Sequence, residues 1–487
     1  MSVLTDFNLG HRFTSITADS RKVQAGTLFL AYLGAKKDGR DFIPQAIRAG
    51  AAAVLWEERE FVWNSNWQVP NQAVRGLKLQ AGEIAGEYYG NPSNQLTMIG
   101  VTGTNGKTSV SQWIAQCLTI LGKKTAVLGT IGNGFVDNKA DVLTESSNTT
   151  PDALLLQGML ADYLQQQASA VVMEVSSHGL EQGRVHGVAF DIAILTNLSR
   201  DHLDYHQTME AYAAAKKKLF DWQGLNMPIL NVDDAFGQSI ASSLKQKNKS
   251  FMTYGVGSGD IRASDLILSD AGISMQVATP QGNAQITTPV LGRFNAYNVL
   301  AVLSTLLALD IDLHDAVKAI TQIKPVLGRM QQFGGGELPL VVIDYAHTPD
   351  ALEKVLSTLK EQIEANKKLV CVFGCGGDRD AGKRPIMGSI ARKLADNVVV
   401  TSDNPRSEDP TEIIQQIMAG MTGTYAIEPD RATAITMAVK AASHGDIVLI
   451  AGKGHENYQE ILGVKYPFSD ALVAQSALKS ASRIASL

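Results

Sequence analysis

The residue pattern with the clearest chemistry is Gly103–Ser109, GTNGKTS, which follows an apolar run ending in Val101 and leads into a helical pattern. Successive backbone N–H groups of such a turn, at the positive end of a helix, form a cradle for phosphates. Lys107 adds a point charge toward the β- and γ-phosphates and Thr108 a hydroxyl near a metal, with Thr104, Asn105 and Ser109 completing the loop. The commonest phosphate loop has a glycine five positions before the Gly-Lys pair, where this chain has Val101; here Gly103 precedes Gly106 by only three. A plain glycine turn between a buried strand and a helix is the bland alternative. Phosphate binding is the stronger reading.

Further candidates fall where other apolar runs end. ASAVVMEVSSHGL closes on Glu174, Ser176, Ser177 and His178. An unpaired carboxylate inside an apolar stretch is expensive. Either a buried Arg or Lys or a hard cation such as Mg²⁺ would offset that cost at Glu174. His178 reads equally as a structural histidine or as a metal- or phosphate-site residue. TNLSRDHLDYH clusters Asp201, His202, Asp204 and His206, but in no zinc spacing, so a polar loop near the site is as good a reading. By residue type alone Lys216–Lys218 would be a solvated helix face. GCGGDRDAGKR resembles an anion-binding glycine loop with a basic helix start, without the G-x-G-x-x-G spacing of a dinucleotide fold. In SDNPRSEDP, Asp403, Asn404, Pro405 and Arg406 form a proline turn. Arg406 is a fork-shaped donor suited to a carboxylate, with a surface turn as the alternative. GKGHE, Gly452–Glu456, supplies two glycines, a histidine and a glutamate.

Strands must hold these residues. After the Gly/Pro/Ser-containing stretch Tyr88–Ser93, apolar runs (TAVLGTIG, ASAVVMEVSS, FDIAILTNLS, MPILNVDD) alternate with helical segments, a rhythm that predicts a mostly parallel sheet covered by helices. Ligands of such sheets collect beyond the C-terminal strand ends. A β-rich stretch is expected from Phe251 to about Pro289. The α/β rhythm resumes at LPLVVIDYAHTP and continues through KKLVCVFGCGG, NVVVTSDNP and DIVLIAGKGHE. Before Asn91, short strands (TLFLAYLG, AAVLWEE) and the helical FIPQAIRAG read as a small α/β domain. Its Asp19-Ser20-Arg21 is an ordinary Asp-Ser turn on residue type.

At 487 residues the chain is long enough for about two to four domains. Hydrophobic content of 45% with 19% charged residues is that of a globular protein, and a formal charge of −5 offers no field for nonspecific nucleic-acid binding. MSVLTDFNLG lacks the character of a secretory signal, and no apolar run is long enough to span a bilayer. Three cysteines in no metal spacing fit a reduced cytoplasm.

Taken in order, DSR, DGR, TGTNGKTS, NTTPD, MEVSSHGL, TNLSRDHLDYH, AKKKLF, LGRFNAYN, LGRM, DYAHTPD, GCGGDRDAGKRP, DNPRSEDP and AGKGHENYQ resemble the Mur ligases of peptidoglycan synthesis, over essentially the whole chain. Among these they are most similar to the diaminopimelate-adding members. The resemblance implies three α/β domains: 1–91 for the uridine nucleotide, 92–327 as a P-loop ATPase with a mostly parallel sheet, and a Rossmann-like 328–487 for the incoming amino acid. It implies ATP, UDP-N-acetylmuramoyl-L-alanyl-D-glutamate and meso-2,6-diaminopimelate as substrates, with Mg²⁺, in a cytoplasmic monomer that neither binds nucleic acid nor inserts into a membrane.

By the same resemblance Ala18, Ser20 and the loop Ala35, Lys36, Lys37 would hold the uridine part. Asn148, Thr149, Thr150, Ser176, Gln182 and Arg184 would grip the muramoyl-dipeptide. Lys107, Thr108, Glu174 and His178 match phosphate and magnesium positions, and Lys216 matches the family's carbamylated lysine (N6-carboxylysine), which replaces the solvated-face reading. Asn295, Asn298, Arg329 and Asp344 would hold the rest of ATP. Arg379, Asp403, Asn404, Pro405, Arg406, Gly452 and Glu456 would hold diaminopimelate, with Arg406 paired to its distal carboxylate. The alternatives are a folylpolyglutamate synthetase, which shares the central ATPase but not the N-terminal domain or DNPR, a nucleotide switch or motor, and, least favoured, a noncatalytic binding module.

Overall fold

The run TLFLA at Thr27–Ala31 is buried along its whole length, as a strand in a parallel sheet covered on both faces must be. Successive side chains of a strand point to opposite faces. Leu28, Leu30 and Leu55 therefore pack with Leu77, Ala81 and Ile84 of the helix Leu77–Tyr88. Phe29, Ala31, Val54 and Trp56 pack with Ile43 and Ala46 of the helix Ile43–Arg48. The four strands, Ser15–Thr17, Thr27–Ala31, Ala53–Glu57 and Asn71–Val74, are all parallel and run in chain order.

The computed structural model describes residues 13–34, 37–137, 142–144, 148–269 and 272–485. The chain divides into two compact units. One comprises Met1–Thr102, Leu118–Leu195 and Ala214–Pro228; the other comprises Gly103–Cys117, Thr196–Ala213 and Ile229–Leu487.

Beyond its N-terminal sheet, the first unit carries parallel strands in the order Thr125–Leu128, Ala170–Glu174, Thr97–Thr102, Ile192–Leu195, with antiparallel Asn133–Phe135 and Val142–Thr144 at one edge. Register sets Val101 beside Glu174, so the carboxylate leaves the sheet at a C-terminal strand end. Tyr88–Ser93 is not a loose connector. The helix stops at Tyr88, Asn91 takes a left-handed φ of +52°, and buried Ser93 accepts from the Ala189 amide.

In the second unit the β-rich stretch forms a run of neighbouring strands, Met252–Val256, Ile261–Ser269, Gly272–Thr279 and Gly282–Thr288, the first pair parallel and the others antiparallel. The helix Arg293–Ala308 that follows is buried on nearly every side, matching its apolar sequence. The C-terminal sheet runs Gln331–Gly334, Leu340–Asp344, Ile447–Ala451, Leu369–Phe373, Asn397–Val400, Ala426–Ile427, parallel except for its first strand. Alternate residues again divide between two cores: Val342, Phe373 and Leu449 on one face, Ile343, Val372 and Ile450 on the other. Register aligns Asp344, Ala451, Phe373 and Val400 in one row. The loops after them, which carry DYAHTPD, GKGHE, GCGGDRD and SDNPR, therefore start side by side.

A fully buried ion pair ties two of those loops to the C-terminal helix Asp470–Ala485. Arg431 Nε and Nη2 each lie 2.8 Å from the Asp470 carboxylate, and the same guanidinium donates to the carbonyls of Ser402 and Ala451. Removing one partner of such a pair strands the other charge. Asp470→Ala is expected to lower stability by about 3–5 kcal/mol in urea denaturation. A loss under about 1 kcal/mol would show that Arg431 finds another anion.

Candidate active site

The loop of the second unit has the backbone its glycines allow. Gly103 and Gly106 have φ of +145° and +87°. A Cβ on Gly103 would collide with Thr196 Oγ1, and one on Gly106 would lie 2.5 Å from Asn298 Oδ1. Glycine is the residue that tolerates both the dihedral and the approach. The side chain of Asn298, expected from sequence at the nucleotide, thus packs on the loop, held by its bond to Asn295 (2.7 Å); Asn295 in turn donates to the Leu291 carbonyl. Lys107 Nζ donates to the Gly103 and Thr104 carbonyls at 2.8 and 2.7 Å, closing the turn. Thr196 and Asn197 grip the Asn105 backbone: its N–H donates to Asn197 Oδ1, and its carbonyl accepts from Thr196 Oγ1 at 2.6 Å and Asn197 Nδ2 at 3.0 Å. Thr108 and Ser109 are buried in the first turn of the following helix.

Arg329 donates to Thr108 Oγ1 at 3.1 Å and lies over the Tyr345 ring, 4.6 Å from its centroid. Asp344 accepts from the Met330 amide at 2.8 Å. Burial pushes the Asp344 carboxyl up against the opposing pull of Arg329. Arg329 thus reaches the loop helix, while Asp344, 15 residues on in sequence, holds the neighbouring Met330 amide.

For TNLSRDHLDYH, the described residues contain no group of three or more His, Cys, Asp or Glu side chains arranged to hold a metal. Instead Asp201 forms an ion pair with His202 (3.4 Å), while His206 packs against the rings of Tyr205 and Tyr212. Burial raises the Asp201 carboxyl, but His202 and His347 outweigh it and the net shift is downward. The polar-loop reading therefore fits this segment.

In the first unit, Glu174 is buried and its carboxylate accepts from the Thr130 amide (2.8 Å) and hydroxyl (3.1 Å). Gly129 makes room: a Cβ there would strike the Glu174 carboxylate. Thr149 bonds to the Thr130 hydroxyl, and Thr150 donates to the Glu174 carbonyl and lies 3.0 Å from Ser176 Oγ. Ser176 caps the helix Ser177–Glu181 that carries His178. Arg184 donates to the Thr150 carbonyl (2.8 Å) and twice to Gln182 Oε1. Thr149, Thr150, Ser176, Gln182 and Arg184 are thus one connected network around Glu174. Asn148 precedes it on the exposed side.

Lys216 corrects the reading drawn from residue type. Lys218 is exposed and pairs with Glu181 at 2.6 Å, whereas Lys216, in the last turn of Met209–Lys217, is 1% exposed. Helical spacing turns that one lysine of the three inward with Ala215 and Leu219, which are buried too. Near the N-terminus, Asp19 caps a short turn by accepting from the Arg21 amide, and Arg21 holds its carboxyl at about 2. Ser20 donates to Gln45, with Ala18 two residues before it. Lys37 reaches over the Phe42 ring; Ala35 and Lys36 lie outside the described residues.

The C-terminal loops hold a second network. Asn404 donates to Glu456 (2.8 Å) and accepts from Lys453 (2.9 Å) and the Glu460 amide (2.9 Å), while Lys453 also pairs with Glu456 at 2.8 Å. Gly452, φ +118°, places its backbone where a Cβ would collide with the Asp403 carboxylate. Arg406, just after Pro405 and at φ +51°, donates to the Gly377 carbonyl (2.8 Å) and pairs with Glu460 (3.2 Å). Arg379 is exposed and bonds to the Asp378 carbonyl. Sequence reasoning missed Lys453 and Glu460. Lys453 sits inside the quoted GKGHE, beside Gly452, and so had a signal; Glu460 is an unremarked glutamate of a short hairpin strand and had none.

Comparison with known proteins covers nearly the whole chain. Residues 12–88 match the description "Mur ligase family, catalytic domain", 101–306 "Mur ligase middle domain" and 328–454 "Mur ligase, glutamate ligase domain". The UDP-N-acetylmuramoyl-L-alanyl-D-glutamate--2,6-diaminopimelate ligase of Chromobacterium violaceum is 54% identical over 96% of this chain and 95% of its own. A solved structure of a ligase of the same name is 40% identical, with a TM-score of 0.70 over 96% of this chain and 95% of its own. A folylpolyglutamate synthase of Mycobacterium tuberculosis, complexed with ADP and AMPPCP, shares the fold (TM-score 0.63, 17% identity, 77% of this chain and 92% of its own).

His347 gives this region a pH signature. Its Nδ1 lies 2.8 Å from the Tyr345 carbonyl, and burial, then Lys383, push the imidazole down to about 4, with Asp201 opposing. The unfolded chain takes up this proton near pH 6.5 and the folded chain only near 4. The neutral ring's contribution is therefore complete above about pH 6.5 and is lost as the pH falls toward 4. The stability advantage of the wild-type chain over His347→Gln, read from urea midpoints, is expected to shrink between pH 7.5 and pH 5. A gap independent of pH would show that His347 titrates normally.

Proposed function

The chain belongs to the Mur ligase family, and on that premise we propose that it is an ATP-dependent ligase forming the amide between meso-2,6-diaminopimelate and UDP-N-acetylmuramoyl-L-alanyl-D-glutamate. It is a step of peptidoglycan precursor synthesis, carried out in the cytoplasm by a monomer. For its parts we keep the division 1–91 for the uridine nucleotide, 92–327 for ATP and 328–487 for the amino acid. The observation that carries the choice of amino acid is Arg406, next to a proline in the loop after the strand Asn397–Val400, with the Asn404–Lys453–Glu456 network beside it.

The reaction transfers the γ-phosphoryl group of ATP to the side-chain carboxylate of the D-glutamyl unit, giving ADP and an acyl phosphate. The amine of diaminopimelate attacks the acyl carbon. The tetrahedral adduct then expels phosphate, and the nitrogen gives up a proton. Lys107 and the loop amides of Gly103–Ser109 hold the phosphates and stabilise charge on the transferred group. Asn295, Asn298, Arg329 and Asp344 position the rest of the nucleotide. Asn148, Thr149, Thr150, Ser176, Gln182 and Arg184 grip the muramoyl-dipeptide, and Ala18, Ser20 and the loop Ala35–Lys37 its uridine end. None of these residues needs to become a covalent nucleophile.

Mg²⁺, when bound, neutralises developing phosphate charge. In the first unit the buried Glu174 carboxylate, His178, and Lys216 once it carries a carbamate are donors of the kind a hard cation takes; in the second unit the Thr108 hydroxyl is another. Lys216 faces the interior rather than solvent, and a carbamate there would turn its cation into an anion able to orient a metal.

Arg379, Asp403, Asn404, Pro405, Gly452 and Glu456 frame the amino acid, and Arg406 takes its distal carboxylate. Lysine lacks that group, so the second, substrate anion of the Arg406 guanidinium, beside Glu460, would be missing. Phosphate release is expected only when ATP, the UDP-muramoyl-dipeptide and diaminopimelate are all present, and to be far slower with lysine. Arg406→Lys should lower kcat/KM for diaminopimelate by roughly ten- to a hundredfold, the worth of a charge-assisted bond. Release without the dipeptide would point to a nucleotide switch, and equal turnover of lysine would remove Arg406 from the choice. Independently, Lys216→Ala should lose activity roughly a hundredfold or more, and short carboxylates added to the buffer should partly restore it. An active, unrescued variant would dismiss the carbamate.

A further inference from the structure

One carboxylate in the second unit touches the phosphate loop without belonging to it. Asp350 is the last residue of DYAHTPD and lies in the first turn of the helix Pro349–Gln362, whose cap is Thr348. Its Oδ2 accepts from Asn105 Nδ2 (2.7 Å), Ser199 Oγ (2.9 Å) and Lys354 Nζ (3.0 Å). The backbone of Asn105 is already gripped by Thr196 and Asn197, so its side chain is the handle that remains, and Asp350 takes it. Ser199 is anchored in the same way: its amide donates to Thr104 Oγ1 and its carbonyl accepts from that hydroxyl. One residue of the phosphate loop, Asn105, and one from the segment after the strand Ile192–Leu195, Ser199, thus converge on Asp350, the second tied to the loop through Thr104.

The charge makes this placement informative. A carboxylate bonded to a phosphate loop repels the polyphosphate the loop is built to hold. Lys354 and the helix N-terminus partly offset that repulsion. Behind Asp350 the chain is continuous with the strand Leu340–Asp344, the neighbour of Ile447–Ala451, which precedes GKGHE.

We propose that Asp350 is a positioning residue, which fixes the Asn105 side chain to the helix Pro349–Gln362 and so sets the shape of the phosphate loop by the placement of the C-terminal segment. It rests on the reading of Gly103–Ser109 as the ATP loop. The link acts on turnover: it orders the loop for phosphoryl transfer and adds no contact to the nucleotide.

Hydrogen exchange of residues 103–107 in the ligand-free full chain tests it without relying on the reaction. Exchange should quicken by roughly tenfold in Asp350→Ala and stay near wild type in Asp350→Asn, which keeps an acceptor oxygen. In the phosphate-release assay Asp350→Ala should lower kcat about tenfold while KM for ATP moves less than about threefold. Adding Ser199→Ala to Asp350→Ala should cost little more, because both act through one hub. Should Asp350→Ala not fold, Asp350→Ser, which suits a helix first turn but is too short to reach Asn105, takes its place. Unchanged loop exchange, or losses from Ser199→Ala and Asp350→Ala that multiply, would overturn the proposal. A wild-type chain that releases no phosphate with its three substrates would instead overturn the functional reading, leaving the exchange result to decide Asp350.

Discussion

Charge held away from water constrains this molecule more than any other term. An ion removed from solvent must find a partner or lose its charge, since the cost otherwise runs to several kcal/mol. Glu174, Lys216, Asp344, Arg431 and Lys453 are all buried, and each stands at or next to a strand end or helix end. Where protein partners suffice, the result is scaffolding: Arg431 and Asp470 lock two strand-end loops to the last helix. Elsewhere the protein partners come as small networks, Thr130 around Glu174 and Asn404–Lys453 around Glu456.

The sheets explain why those groups can be gathered at all. Parallel pairing puts all C-terminal ends on one edge, and the register of the C-terminal sheet lines up Asp344, Ala451, Phe373 and Val400. Four loops that are distant in sequence then begin within neighbouring strand spacings, about 5 Å apart. Glycine keeps the loops close: Gly106 against Asn298, Gly129 against Glu174, Gly452 against Asp403. At each of these a side chain would push away the polar group packed against the glycine.

Much of this was legible in the sequence. The fold class, the family and the phosphate loop were carried by periodicity and by contiguous motifs, and Glu174 announced itself as a carboxylate in an apolar run. Other features depended on partners distant in the chain. Residue type suggested a solvated face for all three lysines of AAAKKKLF, and only helical phase against the core separates buried Lys216 from exposed Lys218. For Asp201 and its histidines the sequence left a metal and a polar loop both open, because composition does not reveal whether side chains pair with one another. Glu460 lies 54 residues from Arg406, a contact created by the fold alone.

The tie between Arg406 and Glu460 bears on how selectivity is built. A guanidinium already held by a carboxylate and by the Gly377 carbonyl is oriented before any substrate arrives, so less rotamer freedom is lost when a second anion binds. The left-handed backbone of Arg406 adds to this: a strained φ of +51° on a bulky residue persists only where surrounding bonds over-determine it. Its amide bond to the Glu460 carbonyl and its carbonyl bond from the Leu462 amide provide that determination. On the proposed function, phosphate handling at Gly103–Ser109 is chemistry common to this architecture, while discrimination between amino acids would rest on the Arg406 fork. Its orientation comes from Glu460, Gly377 and Leu462, residues that need never touch the substrate.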